Sequence, residues 1–191
     1  MISRFTFFDR YRSEFGKIIN QKTVEAINAI LERSEKEQTP ISKLAYIFAT
    51  SMHEARDVNS KADFYPIMER GGYNYITHQY WKNVKVRGWL GNRSIEDAWN
   101  LRGRGLVQIT GYRNYKLFGI ENNPDKALEI NKAVEILFDG MKKGMFTGKK
   151  LSDYINSNQV DYVNARRIIN GTDKAEHIAS LARRFEAILI I

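Results

Sequence analysis

Between positions 54 and 69 the chain carries four carboxylates, Glu54, Asp57, Asp63 and Glu69. Such a set can supply an acid–base pair, with one group handing a proton to a leaving group and the other drawing one from water. A second set of groups lies in Leu101-Arg-Gly-Arg-Gly-Leu-Val-Gln-Ile-Thr-Gly-Tyr-Arg-Asn-Tyr115. There Leu106-Val-Gln-Ile-Thr110 alternates apolar and polar side chains, which predicts a brief or bent strand. On an extended segment Gln108 and Thr110 project from one face. An amide beside a hydroxyl can position a water molecule or a sugar hydroxyl. Glycines at 103, 105 and 111 allow sharp turns or the close approach of another group. The plainer use of the same residues is a hairpin with two polar side chains facing solvent.

The element that must position Glu54 is the third helix. A second helix, expected from about Lys22 to Gln38, is stopped at Thr39-Pro40, because proline disfavours helical geometry in the residue before it. Ser42 is the expected N-cap of the next helix. Leu44, Ile47, Ser51 and Glu54 then fall at i, i+3, i+7 and i+10, one face of a helix that begins apolar and ends in a carboxylate. A carboxyl at the inner end of that stripe would be partly desolvated, which raises its pKa and suits a proton donor near neutral pH. The alternative places Glu54 beyond the helix end, exposed or ion-paired.

Gly103-Arg-Gly-Leu-Val-Gln-Ile-Thr-Gly-Tyr-Arg-Asn-Tyr115 resembles the signature of the family 19 glycoside hydrolases, which include plant-type chitinases and many phage endolysins. Ala49-Thr-Ser-Met-His-Glu-Ala55 resembles the helix carrying that family's general acid, and Pro66-Ile-Met-Glu-Arg-Gly71 the segment carrying its second carboxylate. Ala165-Arg-Arg-Ile-Ile-Asn-Gly-Thr172 resembles a later substrate-cleft motif. Phe7-Phe-Asp-Arg-Tyr-Arg12 and Gly140-Met-Lys-Lys-Gly-Met-Phe-Thr-Gly-Lys149 are similar to the single-domain phage-type members. The resemblance runs along nearly the whole chain in the family's order.

This resemblance implies a mainly α, lysozyme-like fold of two lobes, with a small β or irregular segment beside a central cleft. Residues 1–191 would form a single catalytic domain without a separate wall-binding module. It implies inverting hydrolysis of β-1,4 linkages, with Glu54 as acid, Glu69 as base and a water held by Thr110. Carboxyl groups roughly 6.5–9.5 Å apart invert and those about 5–5.5 Å apart retain. It also places His53, Gln108, Asn114, Tyr115 and Asn170 at the substrate. The spacer between Glu54 and Glu69 is longer than in the phage-type members, so Asp63 stands as reserve second acid. For Asn170 the competing use is a helix C-cap, to which Asn-Gly is suited.

Composition narrows the setting. The 191 residues, 43% hydrophobic and 12% aromatic, suffice for a substantial core. No cysteine is present, so disulfides and thiolate metal sites are excluded. His53, His78 and His177 lack paired ligand spacing, so neither a metal nor a cofactor is expected. The N-terminus reads as no secretory signal and no stretch approaches a membrane span. A net charge of +8 favours polyanionic partners, and residues 101–150 hold 10 basic residues against 5 acidic ones.

Aromatics follow Glu69 closely: Tyr73, Tyr75, Tyr80, Trp81 and Trp89. Such rings stack on sugars, but packing is their commoner use, so at least half are expected in the core. Further helices are expected at Ser94–Asn100, Asn131–Lys143, Asp161–Ile169 and Asp173–Ile190, with a turn at Gly88–Asn92. The functional expectation is a monomeric endolysin acting on peptidoglycan, made in the host cytoplasm and reaching the wall once the membrane is breached. Chitin is the alternative substrate. From another class, a basic helical nucleic-acid-binding module would need cations interleaved with exposed aromatics on one face, and it leaves Gln108 and Thr110 unexplained.

Overall fold

Two polar side chains start the first two helices. Ser3 Oγ accepts from Thr6 N–H and opens α1 (Arg4–Phe15), and Asn20 Oδ1 accepts from Thr23 N–H and opens α2 (Gln21–Lys36). The computed structural model describes residues 3–16, 19–55 and 63–190, so Asp57 lies outside the described residues. The spacing of Phe5, Phe8, Tyr11 and Phe15 predicts one apolar face on α1, and that face needs one correction. Phe7 and Tyr11 are buried while Phe5 is exposed, because residues two apart on a helix point in nearly opposite directions.

The centre is α3 (Ile41–Glu54), buried at every position from Leu44 to Met52. Its cap is Pro40, not Ser42: the Pro40 carbonyl accepts from Leu44 N–H at 2.9 Å. Ser42 falls inside the first turn, where its own carbonyl accepts from Tyr162 Oη at 3.2 Å. The last helix, α10 (Ala175–Leu189), lies along α3. Phe48 of α3 stacks on Phe185 of α10 at 5.2 Å and meets Phe64 edge-on at 5.6 Å. Leu189 is buried and Ile190 exposed, so only part of the apolar tail reaches the core. On the other side α8 (Ile130–Lys143) packs against α2, where Arg33 bonds Asp139 at 2.7 Å.

The middle of the chain is built from shorter pieces. An antiparallel pair joins β1 (Ile67–Met68) to β2 (Arg104–Gly105), with Ile67 opposite Gly105 and Met68 opposite Arg104. Around it lie α4 (Tyr73–Thr77), a π-helical turn at His78–Lys82, α5 (Val84–Leu90), α6 (Ile95–Asn100) and α7 (Tyr112–Leu117). The expected turn at Gly88–Asn92 is therefore the end of α5, closed by Gly91 in the left-handed region. The expected helix at Asp161–Ile169 is a 3-10 turn, Asn164–Ile168. Short helical turns at Pro124–Leu128 and α9 (Leu151–Tyr154) complete a protein that is mainly α. Among the described residues no helix is long and apolar enough to cross a membrane.

The segment leading into β1 is anchored by a buried acid. Asp63 is 3% exposed, accepts from Tyr11 Oη at 2.9 Å and donates its N–H to Thr23 Oγ1 at 3.2 Å. It thus ties α1 and α2 to the approach of β1. Replacing Tyr11 with Phe removes one of these bonds and leaves a buried carboxylate oxygen less well satisfied. The expected loss is about 1–3 kcal/mol, read as a lower urea midpoint at an unchanged slope.

Candidate functional site

The strand pair delivers Glu69. One step beyond Met68–Arg104 the register sets Glu69 opposite Gly103, and Glu69 N–H donates to the Gly103 carbonyl at 2.8 Å. The return bond goes to the side chain: Gly103 N–H donates to Glu69 Oε2 at 3.0 Å. The other carboxylate oxygen, Oε1, accepts from Tyr80 Oη at 2.8 Å. Burial first, and then the hydrogen bond to Glu69, push the Tyr80 phenol well above the usual tyrosine range, so it remains a donor. Tyr80 sits on the π-helical turn, and Asn92 fixes that turn by donating to the Tyr80 carbonyl at 3.1 Å and accepting from Tyr112 N–H at 3.0 Å. Glu69 is therefore oriented by backbone and by a clamped phenol.

Gln108 comes to the same spot by a route the alternation did not indicate. Residues 106–108 form a turn, closed where Arg104 and Ile109 exchange backbone hydrogen bonds of 3.2 and 3.0 Å. Gln108 takes a left-handed φ of 51°. The expected strand is thus corrected to a tight hairpin end, because Leu106, Val107 and Ile109 are all buried and cannot alternate sides. The amide of Gln108 donates to the Ile67 and Gly105 carbonyls at 2.9 and 3.0 Å. A Cβ built on Gly103 would lie 2.9 Å from Gln108 Oε1 and 3.1 Å from Glu69 Oε2. The missing side chain at 103 is what admits the amide and the carboxylate together.

Thr110 Oγ1 donates to the Gln108 carbonyl at 2.9 Å, so its proton is committed and its lone pairs remain for a water. Asn114 Nδ2 donates to the Thr110 carbonyl at 2.9 Å and steadies the same loop. Tyr115 is corrected from a substrate contact to a core residue. It is 0% exposed, and its hydroxyl donates to the Arg102 carbonyl at 2.7 Å and accepts from Arg104 at 3.2 Å. Buried Arg104 also holds the Asn100 carbonyl at 2.8 Å and Asp125 at 2.9 Å, which fixes the loop in front of the glycine.

Glu54 ends α3 in different company. Its side chain is 18% exposed, and Oε1 accepts from Arg166 Nη1 at 2.7 Å. Arg166 is 3% exposed and donates through Nε to the Asp173 carbonyl at 3.0 Å. The expected carboxyl in apolar surroundings is therefore replaced by a carboxylate facing a buried guanidinium. Among the described residues no donor reaches Glu54 Oε2. His53 lies edge-on to His177 at 5.6 Å, so two of the histidines meet despite their separation in sequence. Burial lowers the His53 pKa; Glu54 opposes that shift, while Arg166 and His177 add to it. Asp63, the reserve acid, belongs to the packed junction of α1 and α2 described above.

Asn170 is exposed beyond the 3-10 turn and lines a groove of about 310 Å³ with Trp89, Thr147, Lys149, Arg167 and Gly171. Its N–H donates to the Arg166 carbonyl at 3.0 Å, which links that groove to the Glu54 pair. Of the five aromatics after Glu69, Tyr73, Tyr75 and Trp89 are exposed and Tyr80 and Trp81 are half-buried, so the expectation that half are core is corrected. Of the partners of the two acids, Arg166 was not singled out by sequence, and Tyr80 was read only as an aromatic for stacking or packing. Comparison of the chain with family models, curated proteins and solved structures found no match.

Two outcomes follow from these contacts. Arg166→Met leaves Glu54 without its cation and is expected to cost about 2–3 kcal/mol, with Glu54→Gln in that background recovering part of the loss; denaturant melts of the four proteins measure it. The folded pKa of His53 lies below its ordinary value of 6.5. The unfolded chain therefore binds the proton more readily, and stability declines as pH falls below about 6.5 until the folded pKa is passed. Replacing His53 with Asn should flatten that part of the melting temperature against pH.

Proposed function

We propose that this chain is a glycoside hydrolase that cleaves β-1,4 linkages of peptidoglycan in the manner of an endolysin. In this reading the fold is lysozyme-like. The helices packed around α3 form one lobe, the strand pair with α4 to α7 forms the other, and the glycan lies in a cleft between them. The observation that carries the proposal is the meeting of Glu69 and Gln108 over the bare face of Gly103, with the Thr110 hydroxyl anchored in the same loop.

The reaction follows from these groups. Glu54 takes up a proton on Oε2 before it acts and gives it to the glycosidic oxygen, which restores the carboxylate that Arg166 pairs with in the structure. Thr110 has already donated its proton to the Gln108 carbonyl, so it accepts a hydrogen from the attacking water. Glu69, oriented by Tyr80 and Gly103, takes a proton from that water as its oxygen attacks the anomeric carbon. Attack from the face opposite the leaving group inverts the configuration. Exposed Trp89, Tyr73 and Tyr75 provide flat apolar surface against which sugar rings can stack.

The test is loss of turbidity of permeabilised bacterial walls, with analysis of the released sugars. Glu54→Gln and Glu69→Gln should each slow lysis by about 10²–10⁴-fold, while Asp63→Asn, which can still accept from Tyr11, should stay within a few-fold of the parent. Lysis at the parent rate by the Glu54 variant would sink the assignment. Full activity on chitin oligomers with none on walls would move the substrate to chitin.

A further inference from the structure

Two surface grooves are bordered by exposed cations. Several cations elsewhere are paired with acids, as in Arg4–Glu35, Arg33–Asp139 and Arg184–Glu14. By contrast, Arg113, Lys116, Lys149 and Arg167 are exposed, and among the described residues none has an acidic partner. All four line grooves. Arg113 and Lys116 border one of about 520 Å³ together with Gly91, and Lys149 and Arg167 border the 310 Å³ groove that contains Trp89 and Asn170. Trp89 and Gly91 are two residues apart at the end of α5, so the grooves flank a single helix end. No carboxylate lines either one.

We propose that these flanking grooves receive the carboxylates on the peptide branches of a peptidoglycan strand, so that the chain prefers this anionic polymer to neutral chitin. The inference rests on the glycosidase reading and deepens it by naming what distinguishes the substrate. Each groove offers one guanidinium, which can take a carboxylate in a bidentate fashion, and one ammonium, which adds a point charge. The exposed Trp89 ring lies beside the second pair and provides an apolar face for the glycan that carries the branch. Single-stranded nucleic acid is the poorer fit, because it calls for successive open rings on which bases stack, whereas each groove is lined by one ring, Trp89 in one and Tyr112 in the other, and the Tyr112 face is already covered by the Arg93 guanidinium at 3.6 Å.

The experiment is co-sedimentation of the full chain carrying Glu54→Gln with purified sacculi. Parallel arms use sacculi whose carboxylates have been capped as amides, walls stripped of phosphodiester polymers by acid, and chitin particles. Native and acid-stripped sacculi should bind alike, and roughly tenfold more tightly than amidated sacculi or chitin. That preference should shrink as salt rises. Lys149→Gln with Arg167→Gln, and separately Arg113→Gln with Lys116→Gln, should each lower binding to native sacculi several-fold at an unchanged melting temperature. Equal binding to native and amidated sacculi overturns the inference, as does loss of binding on acid stripping or tighter binding to single-stranded DNA. Carboxylate-dependent binding by a wild-type chain that releases no reducing ends would leave the grooves standing and remove the glycosidase reading instead.

Discussion

A hydrogen atom in place of a side chain at position 103 governs the geometry of the middle of this protein. The β1–β2 register sets Glu69 against Gly103, and the turn at 106–108 brings the Gln108 amide to the same face. A single methyl group there would meet both polar atoms at 2.9–3.1 Å. The glycine also uses its N–H to hold the carboxylate, so it contributes both space and a donor. An antiparallel pair ordinarily exchanges two backbone bonds. Here the second is given to a side chain, and a carboxylate one residue past a two-residue strand acquires the positional fixity of backbone.

The helical part handles its acids by a different principle. Asp63 and Glu54 are both withdrawn from water, and each is matched by a specific donor, a phenol for one and a guanidinium for the other. Removing a charged group from water is costly unless its partner is fixed and its remaining hydrogen bonds are made. Arg166 meets that condition, since its Nε is satisfied by the Asp173 carbonyl just before α10. The partner of Glu54 is thus supplied by the turn leading into the helix that packs along α3. Position of the acid and packing of the two central helices are one structural problem with one solution.

Much of this was legible in the sequence, and the failures have physical causes. The long helices follow from apolar periodicity, and Glu54 falls at the end of the third because its stripe leads there. The site loop was recognisable by its glycines and its Gln–Thr pair. Its conformation was not, because alternation over five residues cannot distinguish a strand from a turn whose apolar members are all buried. Tyr115 was misjudged because nothing local reveals that Arg104 needs a buried phenolic oxygen. The bonds that Arg166 and Tyr80 make to the two acids escaped notice for a related reason: a long-range ion pair or hydrogen bond leaves no periodic trace in either partner's neighbourhood. Asp63 illustrates the converse, an acid conspicuous in sequence whose function in the fold is to fasten two helices.

The distribution of charge gives the arrangement its direction. A net charge of +8 favours polyanionic partners but selects among none of them. Where cations are paired with nearby acids, the field they project is small. Where four exposed cations border grooves that flank one helix end and no carboxylate lines either groove, that surface attracts an approaching polyanion. The Asn170 groove is tied through the Arg166 carbonyl to the residue that pairs with Glu54. In the glycosidase reading, charges that lie outside the chemistry would thereby select the polymer, and the acids, each held by its own donor, would act on the bond presented to them.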